Sequence, residues 1–400
     1  MITVSKAMSK ILAHLPKSEV EILPIVKINE KILAQDIVSE RDQPPFHRMA
    51  MDGIAIDLSE YQNGRREFKI QDIQRAGQAQ LTLNNKIDCI EGMTGGVLPN
   101  NATAVIRYED VKIENGIAIV QDELVFNMLN NVHQKGSDHK AGEVVLKAGT
   151  LLRGPQIGII AANGYAEVKV NKDIKIAVIS TGDELVDLGN MPLDHQIRRS
   201  NPYALRSELN CSGFQHVQMF HLNDDKTHLY NELKTILKNH DVLVLSGGVS
   251  MGKFDFLPQI FADLQVTEIF HKVTQRPGKP LWFGVQSEKM IFGLPGNPVS
   301  AVTCLRRFVV PALVTQREGT ACAQVYAKLT SEYEFNKALT YFCPVKVEVN
   351  SAGEFIATPI KTNGSGDYGS LAYSDGILEL DKETNVFKAG TSHKVFMWGK

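Results

Sequence analysis

Between residues 171 and 317 short apolar runs alternate with stretches of helical character, and this alternation constrains the fold more than any other feature of the chain. Ile174–Ile179 reads as a strand, and Asn201-Pro202 opens a helix with a cap and a first-turn proline. A strand is expected near His216–Leu222, a helix from Asp225 to Lys238, a strand at Val242–Leu245 and a helix at Phe256–Leu264. Leu281–Val285 and Met290–Phe292 read as further strands, and a last helix runs from Pro298 to about Val314. Strands separated by helices imply right-handed βαβ units and a mostly parallel sheet. Such sheets bind ligands in the crevice at the carboxyl ends of their strands.

The flanks are different in style. Residues 23–170 hold short β-type runs between turn residues: IAIDL at 54–58, TAVIRYEDV at 103–111, GIAIV at 116–120 and GEVVLKAG at 142–149. With little helical periodicity, this part reads as β-rich and as more than one small unit. Residues 318–400 return to alternating runs, PVKVEV at 344–349 and ILELD at 377–381, which suggests a small β-rich C-terminal domain. At the N-terminus Val4, Met8, Ile11, Leu12 and Leu15 fall on one face of an amphipathic helix rather than forming a signal-peptide core.

Composition narrows the function. Lys and Arg number 43 against 45 Asp and Glu, a balance that argues against a general nucleic-acid binder or an anionic-membrane binder. No window is apolar over the roughly 18 residues that a membrane span needs. The five cysteines, Cys89, Cys211, Cys304, Cys322 and Cys343, are dispersed and show no zinc spacing, which points to a reduced, cytoplasmic setting. There is no Gly-x-Ser-x-Gly elbow, no His-Glu-x-x-His and no dinucleotide fingerprint, so serine hydrolases, zinc proteases and NAD enzymes lose weight.

Three of the expected strand ends carry unusual residues. Ser180-Thr181-Gly182-Asp183-Glu184 follows the first, SGGVSMGKFDF (Ser246–Phe256) the third, and Gly293-Leu294-Pro295-Gly296-Asn297-Pro298-Val299-Ser300 the last. In the last, Asn297 can cap, Pro298 suits the first helical position, and a helix N-terminus favours an oxyanion. A well-built strand-to-helix turn without a ligand would use the same residues. SGGVSMGKFDF contains Gly-x-x-x-x-Gly-Lys, yet Phe254 stands where a P-loop needs Ser or Thr for magnesium. Gly247, Gly248 and Ser250 fit a close-approach anion loop instead. Glu184, Asp224 and Asp255 each sit at a strand end, where a cap or a solvated acid is the plainer reading. Beside a phosphate, two such charges about 4 Å apart would repel by ~4 kcal/mol at an effective dielectric near 20, and magnesium would relieve them. Arg276-Pro277-Gly278-Lys279-Pro280 is a stiff turn carrying two cations, or a solvated loop.

Together these segments resemble the molybdopterin molybdenumtransferase family, the MoeA proteins of bacteria and the E domains of plant Cnx and animal gephyrin. The matching motifs are PPFHRMAMDGIAI (44–56), GMTGGVLPNNATA (92–104), GSDHKAGEVVLKAG (136–149), STGDEL (180–185), SGGVSMGKFDF, RPGKP and GLPGNPVSA. They occur in family order from about residue 44 to 301, while the N-terminal helix and GSGDYGSLAYSDG (364–376) match more loosely. The resemblance implies insertion of molybdate into adenylylated molybdopterin with magnesium, release of AMP and formation of molybdenum cofactor. It implies an elongated homodimer, with an N-terminal helix (1–22), a discontinuous linker-type domain I (23–45 and 140–170), a β-rich domain II (46–139), an α/β molybdopterin-binding domain III (171–317) and a β-rich domain IV (318–400). The molybdopterin adenylyltransferase and proteins that deliver the cofactor are implied partners; nucleic acid and membrane are not.

Residue by residue, the family's functional acids fall on Asp52, Asp138, Glu184, Asp224 and Asp255, with the last three as magnesium candidates. Thr94, Gly247, Gly248, Ser250, Lys279, Pro295, Asn297, Pro298 and Ser300 fall at substrate-binding positions, and Asp52 and Asp138 are expected to complete the cleft across the dimer. Three positions depart from the pattern: His47 for a frequent Asp, His195 for a Gly, and Lys337 for an Arg whose bidentate contacts Lys cannot reproduce. An adenylyltransferase-type relative sharing the α/β domain, and a non-catalytic scaffold like the gephyrin E domain, are the alternatives. The extra domains argue against the first, and the retained acids against the second.

Overall fold

A computed structural model describes residues 1–121, 124–248 and 256–399. The chain divides into two compact units, one of residues 22–170 and one of residues 1–21 with 171–400.

In the first unit, six strands form one sheet: β1 (Gly53–Ile56), β2 (Glu67–Gln74), β3 (Asp88–Gly92), β4 (Ala104–Arg107), β5 (Val111–Glu114) and β6 (Ile117–Val120), in the order β4-β1-β3-β2-β6-β5. Its core is Ile54, Ile56, Phe68, Cys89, Ala104, Ile106, Ala118 and Val120, the inward positions of alternating strands. A separate cluster of Ile28, Leu33, Ile37, Leu152, Ile160, Val168 and Val170 joins the two ends of this stretch of chain. Ile160 belongs to a helix, Gly154–Ala162, that sequence periodicity missed, because GPQIGIIAA is apolar on every side and shows no stripe.

The second unit opens with α1 (Val4–Leu12), capped by Thr3 and burying Val4, Ala7 and Ile11. Its central sheet holds β7 (Ile176–Thr181), β8 (Val217–Leu222), β9 (Val242–Ser246), β10 (Thr267–His271), β12 (Trp282–Gln286) and β13 (Lys289–Leu294), in the order β8-β7-β9-β13-β12-β10. Between them lie α2 (Asn201–Cys211), α3 (Lys226–Asn239) and α4 (Leu257–Asp263). The four strands β8, β7, β9 and β13 run parallel. The two inner strands β7 and β9, apolar up to their polar carboxyl ends, are buried throughout, as both-face coverage by helices requires.

Two expectations are corrected on one edge. β12 and β13 form an antiparallel hairpin rather than further parallel strands, turning at Ser287, whose φ is 52°. β10, which the sequence did not offer as a strand, adds antiparallel to β12. A hairpin needs only a short turn where a parallel pair needs a crossover.

After β13, α5 (Pro298–Cys304), a π-helical turn (Leu305–Val309) and α6 (Val310–Glu318) form one continuous run. Pro311 sits inside it. Its ring would meet the Arg307 carbonyl in a regular helix, and the wider π turn makes room. Contrary to the sequence reading, this run is long and apolar enough by length and composition to cross a bilayer, but most of it is buried in the unit's core.

Strands β14 (Val325–Leu329), β15 (Thr340–Val349), β16 (Phe355–Pro359), β17 (Gly376–Leu380) and β18 (Ser392–Met397) pair in the order β15-β16-β14-β18-β17, and β17 pairs back with β15, so the sheet closes on itself. One more strand joins it from far upstream: β11 (Gln275–Arg276) runs parallel to β15, with Gln275 opposite Thr340 and Arg276 opposite Tyr341. Arg307 and Glu379 of β17 form an ion pair at 2.6 Å, with side chains only 8% and 15% exposed.

Candidate active site

The carboxyl ends of β8, β7, β9 and β13 lie side by side, and the unusual residues of the sequence sit on them. Beyond β8, the Asp224 amide donates to Asp183 Oδ1 at 3.2 Å, so the loops after two adjacent strands meet. Asp183 was not among the expected site residues. The neighbouring Asp225, not Asp224, caps α3 by accepting from the His228 amide at 2.7 Å. Glu184 is exposed, and its carboxylate lies against Gly182.

At the end of β9, Gly247 and Gly248 adopt φ of 101° and 66°, a region that disfavours side chains. A methyl group on Gly248 would sit 2.5 Å from Leu257 Cδ1 and 3.0 Å from Thr181 Oγ1. The Gly247 amide donates to Leu294 O at 3.2 Å, tying this turn to the end of β13. Asn201 ties them again, donating from Nδ2 to Ser246 Oγ at 2.8 Å and to Gly296 O at 2.7 Å. The sequence had marked Asn201 only as a helix opener. Ser250 and Asp255, expected here, lie outside the described residues.

Past β13 a cleft of about 680 Å3 opens between the α/β layer and the closed C-terminal sheet. Pro295, Asn297, Val299 and Ser300 form one wall, Gln275 to Pro280 a second, and Phe335, Leu339, Tyr341 and Phe342 an apolar third. Thr362, Asn363, Gly364 and Ser365 close it. Arg276 and Lys279 are both exposed and bring two cations to one cavity. Pro298 starts α5 as expected but does not line the cleft among the described residues.

Asn297 does not cap α5 with its side chain. Its Nδ2 donates to Ser365 Oγ at 2.9 Å, and the Val299 amide donates to Ser365 O at 3.3 Å. Ser365 is therefore a site residue the sequence missed, since a contact between segments so distant in the chain leaves no local signature. Phe335 stacks on Tyr341 at 4.3 Å between ring centroids, and burial raises the Tyr341 hydroxyl pKa, which keeps that wall uncharged. Lys337, the substitute for the usual Arg, is exposed and is not among the cleft-lining residues; Arg276 supplies the planar fork there.

The remaining expected residues fall in the first unit. The Thr94 amide donates to Asp52 Oδ1 at 2.6 Å, and this bond, with the Thr94 hydroxyl, holds the Asp52 pKa below the usual carboxylate value. Asp138 lies on another loop, accepting from Ser137 Oγ at 3.3 Å with His133 Nε2 at 3.6 Å. His47 is exposed and accepts the Lys135 amide through Nδ1 at 3.2 Å.

Family models cover most of the chain: one described as MoeA N-terminal region (domain I and II) matches residues 2–164, one described as probable molybdopterin binding domain matches 177–315, and one described as MoeA C-terminal region (domain IV) matches 326–398. A molybdopterin molybdenumtransferase of Synechocystis is 39% identical over 400 residues, covering all of both chains. The chain belongs to the molybdopterin molybdenumtransferase family. A Staphylococcus aureus molybdopterin molybdenumtransferase is 32% identical over 97% of this chain and 94% of its own. Among solved structures, a molybdopterin biosynthesis MoeA protein of Pyrococcus horikoshii superposes with a TM-score of 0.84 at 30% identity, covering 100% and 99% of the two chains. A second structure from that organism gives 0.82 at 26%. The chain is thus a transferase of molybdenum cofactor biosynthesis, and the motif resemblance and the fold class hold over its whole length.

Proposed function

We propose that this molybdopterin molybdenumtransferase inserts molybdate into adenylylated molybdopterin, with magnesium, releasing AMP. The observation that carries the reading is the cleft in which Arg276, Lys279, Ser300, Ser365 and the start of α5 converge. Molybdate is a doubly charged oxyanion. Two cations, a helix N-terminus and hydroxyl groups are the chemistry that holds such an ion. The adjoining strand ends support the second substrate: Gly247 and Gly248 let its backbone-hugging groups approach, and the first turn of α5 favours its phosphates.

The oxygen-only donor set of Asp183, Glu184 and Asp224 suits magnesium. Among the described residues no cluster of three His, Cys, Asp or Glu assembles a cage. Magnesium takes one or two carboxylates and completes its shell with water and substrate phosphates, so the Asp183 carboxylate, on a loop tied to the next strand end by the Asp224 amide, is a candidate anchor together with Asp224 and Glu184. When bound, the ion would neutralise charge on the phosphoanhydride. The residues themselves do the positioning: the glycine turn seats the substrate, and Lys279 and Arg276 hold the oxyanion next to the thiolates that receive molybdenum.

We further infer a cytoplasmic homodimer of four-domain subunits, in which Asp52, Thr94 and Asp138 serve the substrate held by the second protomer. Cysteines that all remain free agree with the reducing compartment. Purified protein given molybdate, magnesium and adenylylated molybdopterin is expected to release AMP and activate an apo-molybdoenzyme; AMP release that is absent, or indifferent to chelation, would refute the reaction as written. Loss of molybdate binding in Lys279→Ala, measured by calorimetry, tests the cleft itself.

A further inference from the structure

Gln275 is wholly buried at the back of the cleft. Its Nε2 donates to Pro277 O and to Gly278 O, both at 3.2 Å, and lies 3.4 Å from Cys304 Sγ. Its Oε1 is buried with no partner among the described residues. A buried acceptor left unpaired is unfavourable, so the side chain is held by what its N–H groups do. They grip two consecutive carbonyls directly before Lys279. Each peptide is planar, so holding both carbonyls fixes the direction in which the chain enters Lys279.

The grip is braced on both sides. The backbone of Gln275 pairs with Thr340 of β15, which joins it to the C-terminal sheet. Cys304 at the end of α5 lies so close to Gly278 that a side chain there would strike its sulfur, and Gly278 has φ of 87°. Burial pushes the Cys304 thiol up to about 12, so the brace stays neutral behind two cations.

We propose that Gln275 is a positioning residue for the oxyanion cleft: its amide holds the Arg-Pro-Gly-Lys turn from behind and sets how Arg276 and Lys279 present their charge. The inference rests on the reading of the cleft as the molybdate site. Molybdate binding by isothermal titration calorimetry, together with the thermal midpoint, separates the two for wild type, Gln275→Met, Thr303→Val and Lys279→Ala. Gln275→Met keeps the volume and removes both amide groups; the molybdate dissociation constant is expected to rise about tenfold, the scale of one lost bond near a charged ligand, with the midpoint held or raised. Thr303→Val removes a buried hydroxyl without a described partner, on α5, and is expected to leave binding unchanged.

Weaker binding in Lys279→Ala with unchanged binding in Gln275→Met overturns the positioning role alone. Unchanged binding in Lys279→Ala overturns the cleft reading, and the inference with it. A lower midpoint with intact molybdate affinity in Gln275→Met marks the residue as merely structural and also overturns it. Should the Met variant not fold, Gln275→Glu replaces it. As a carboxylate it offers the two carbonyls no donor, and once protonated it offers one O–H. Its affinity relative to wild type is therefore expected to recover as pH falls, and affinity that tracks wild type at every pH refutes the proposal.

Discussion

Asp52 shows how much one backbone bond decides. The amide and hydroxyl of Thr94 stabilise its ionised form, so its folded-state pKa lies below the ordinary 3.8. The sign follows: this contribution to stability is complete above 3.8 and is lost as pH falls through the lower folded value. Thr94→Val removes the hydroxyl and leaves the amide, so NMR titration of the Asp52 carboxyl should show its pKa rising part of the way back. A pKa that does not move would mean the amide alone carries the effect. At the other unit's cleft, Arg276→Lys keeps the charge and loses the planar fork. Molybdate affinity is expected to fall about three- to tenfold, and equal affinity would show that Arg276 acts only as a point charge.

Elements impose sharper limits than residues do. Gly53 follows Asp52 at the start of β1, and β1 runs against β4 so closely that any side chain there would overlap the Ile106 carbonyl. Gly53→Ala should therefore cost ~3 kcal/mol or more, read by urea unfolding of the 22–170 unit, with Asp52 displaced as a consequence. An alanine variant of wild-type stability would mean that β4 shifts freely. Gly248→Ala meets Leu257 and Thr181 at a positive φ, and should weaken binding of the molybdopterin substrate before it destabilises the fold, since it lies at a strand end rather than within a strand.

On the scale of the whole molecule, the cleft depends on how the α/β layer and the C-terminal sheet are joined. Links within the second unit that do this include β11 on β15, Ser365 with Asn297 and Val299, and the buried Arg307–Glu379 pair. Removing one partner leaves the other charge buried alone. Glu379→Gln or Arg307→Ala is expected to cost about 3–5 kcal/mol by chemical denaturation and to weaken molybdate binding, because one wall of the cleft loses its anchor. The dimeric reading predicts complementation: inactive Asp52→Asn and inactive Lys279→Ala protomers, unfolded and mixed, should regain about a quarter of wild-type activity on reassembly, as one intact site forms in half of the dimers. No recovery would place both residues in one protomer's site.

The sequence alone specified what depends on near neighbours. Apolar runs, proline at helix starts and Gly-rich strand ends placed the parallel layer, the helix at Asn201, and the turns at Gly247 and Pro295, because those signals are local. The motif order also pointed to the family, and full-length identity bears it out. Tertiary structure decided the rest. Asn297 turned from cap to a bridge onto Ser365 because a distant loop offered a better partner. Arg276 moved to the cleft, and Lys337 away from its lining, because β11 belongs to a sheet whose other strands come much later in the chain. Asp183 came into the site because β8 lies beside β7 and brings the Asp224 amide to its carboxylate, an adjacency that only the folded sheet creates. Local propensity fixes an element; which elements meet is fixed by burying their apolar faces together, and the site is built where they meet.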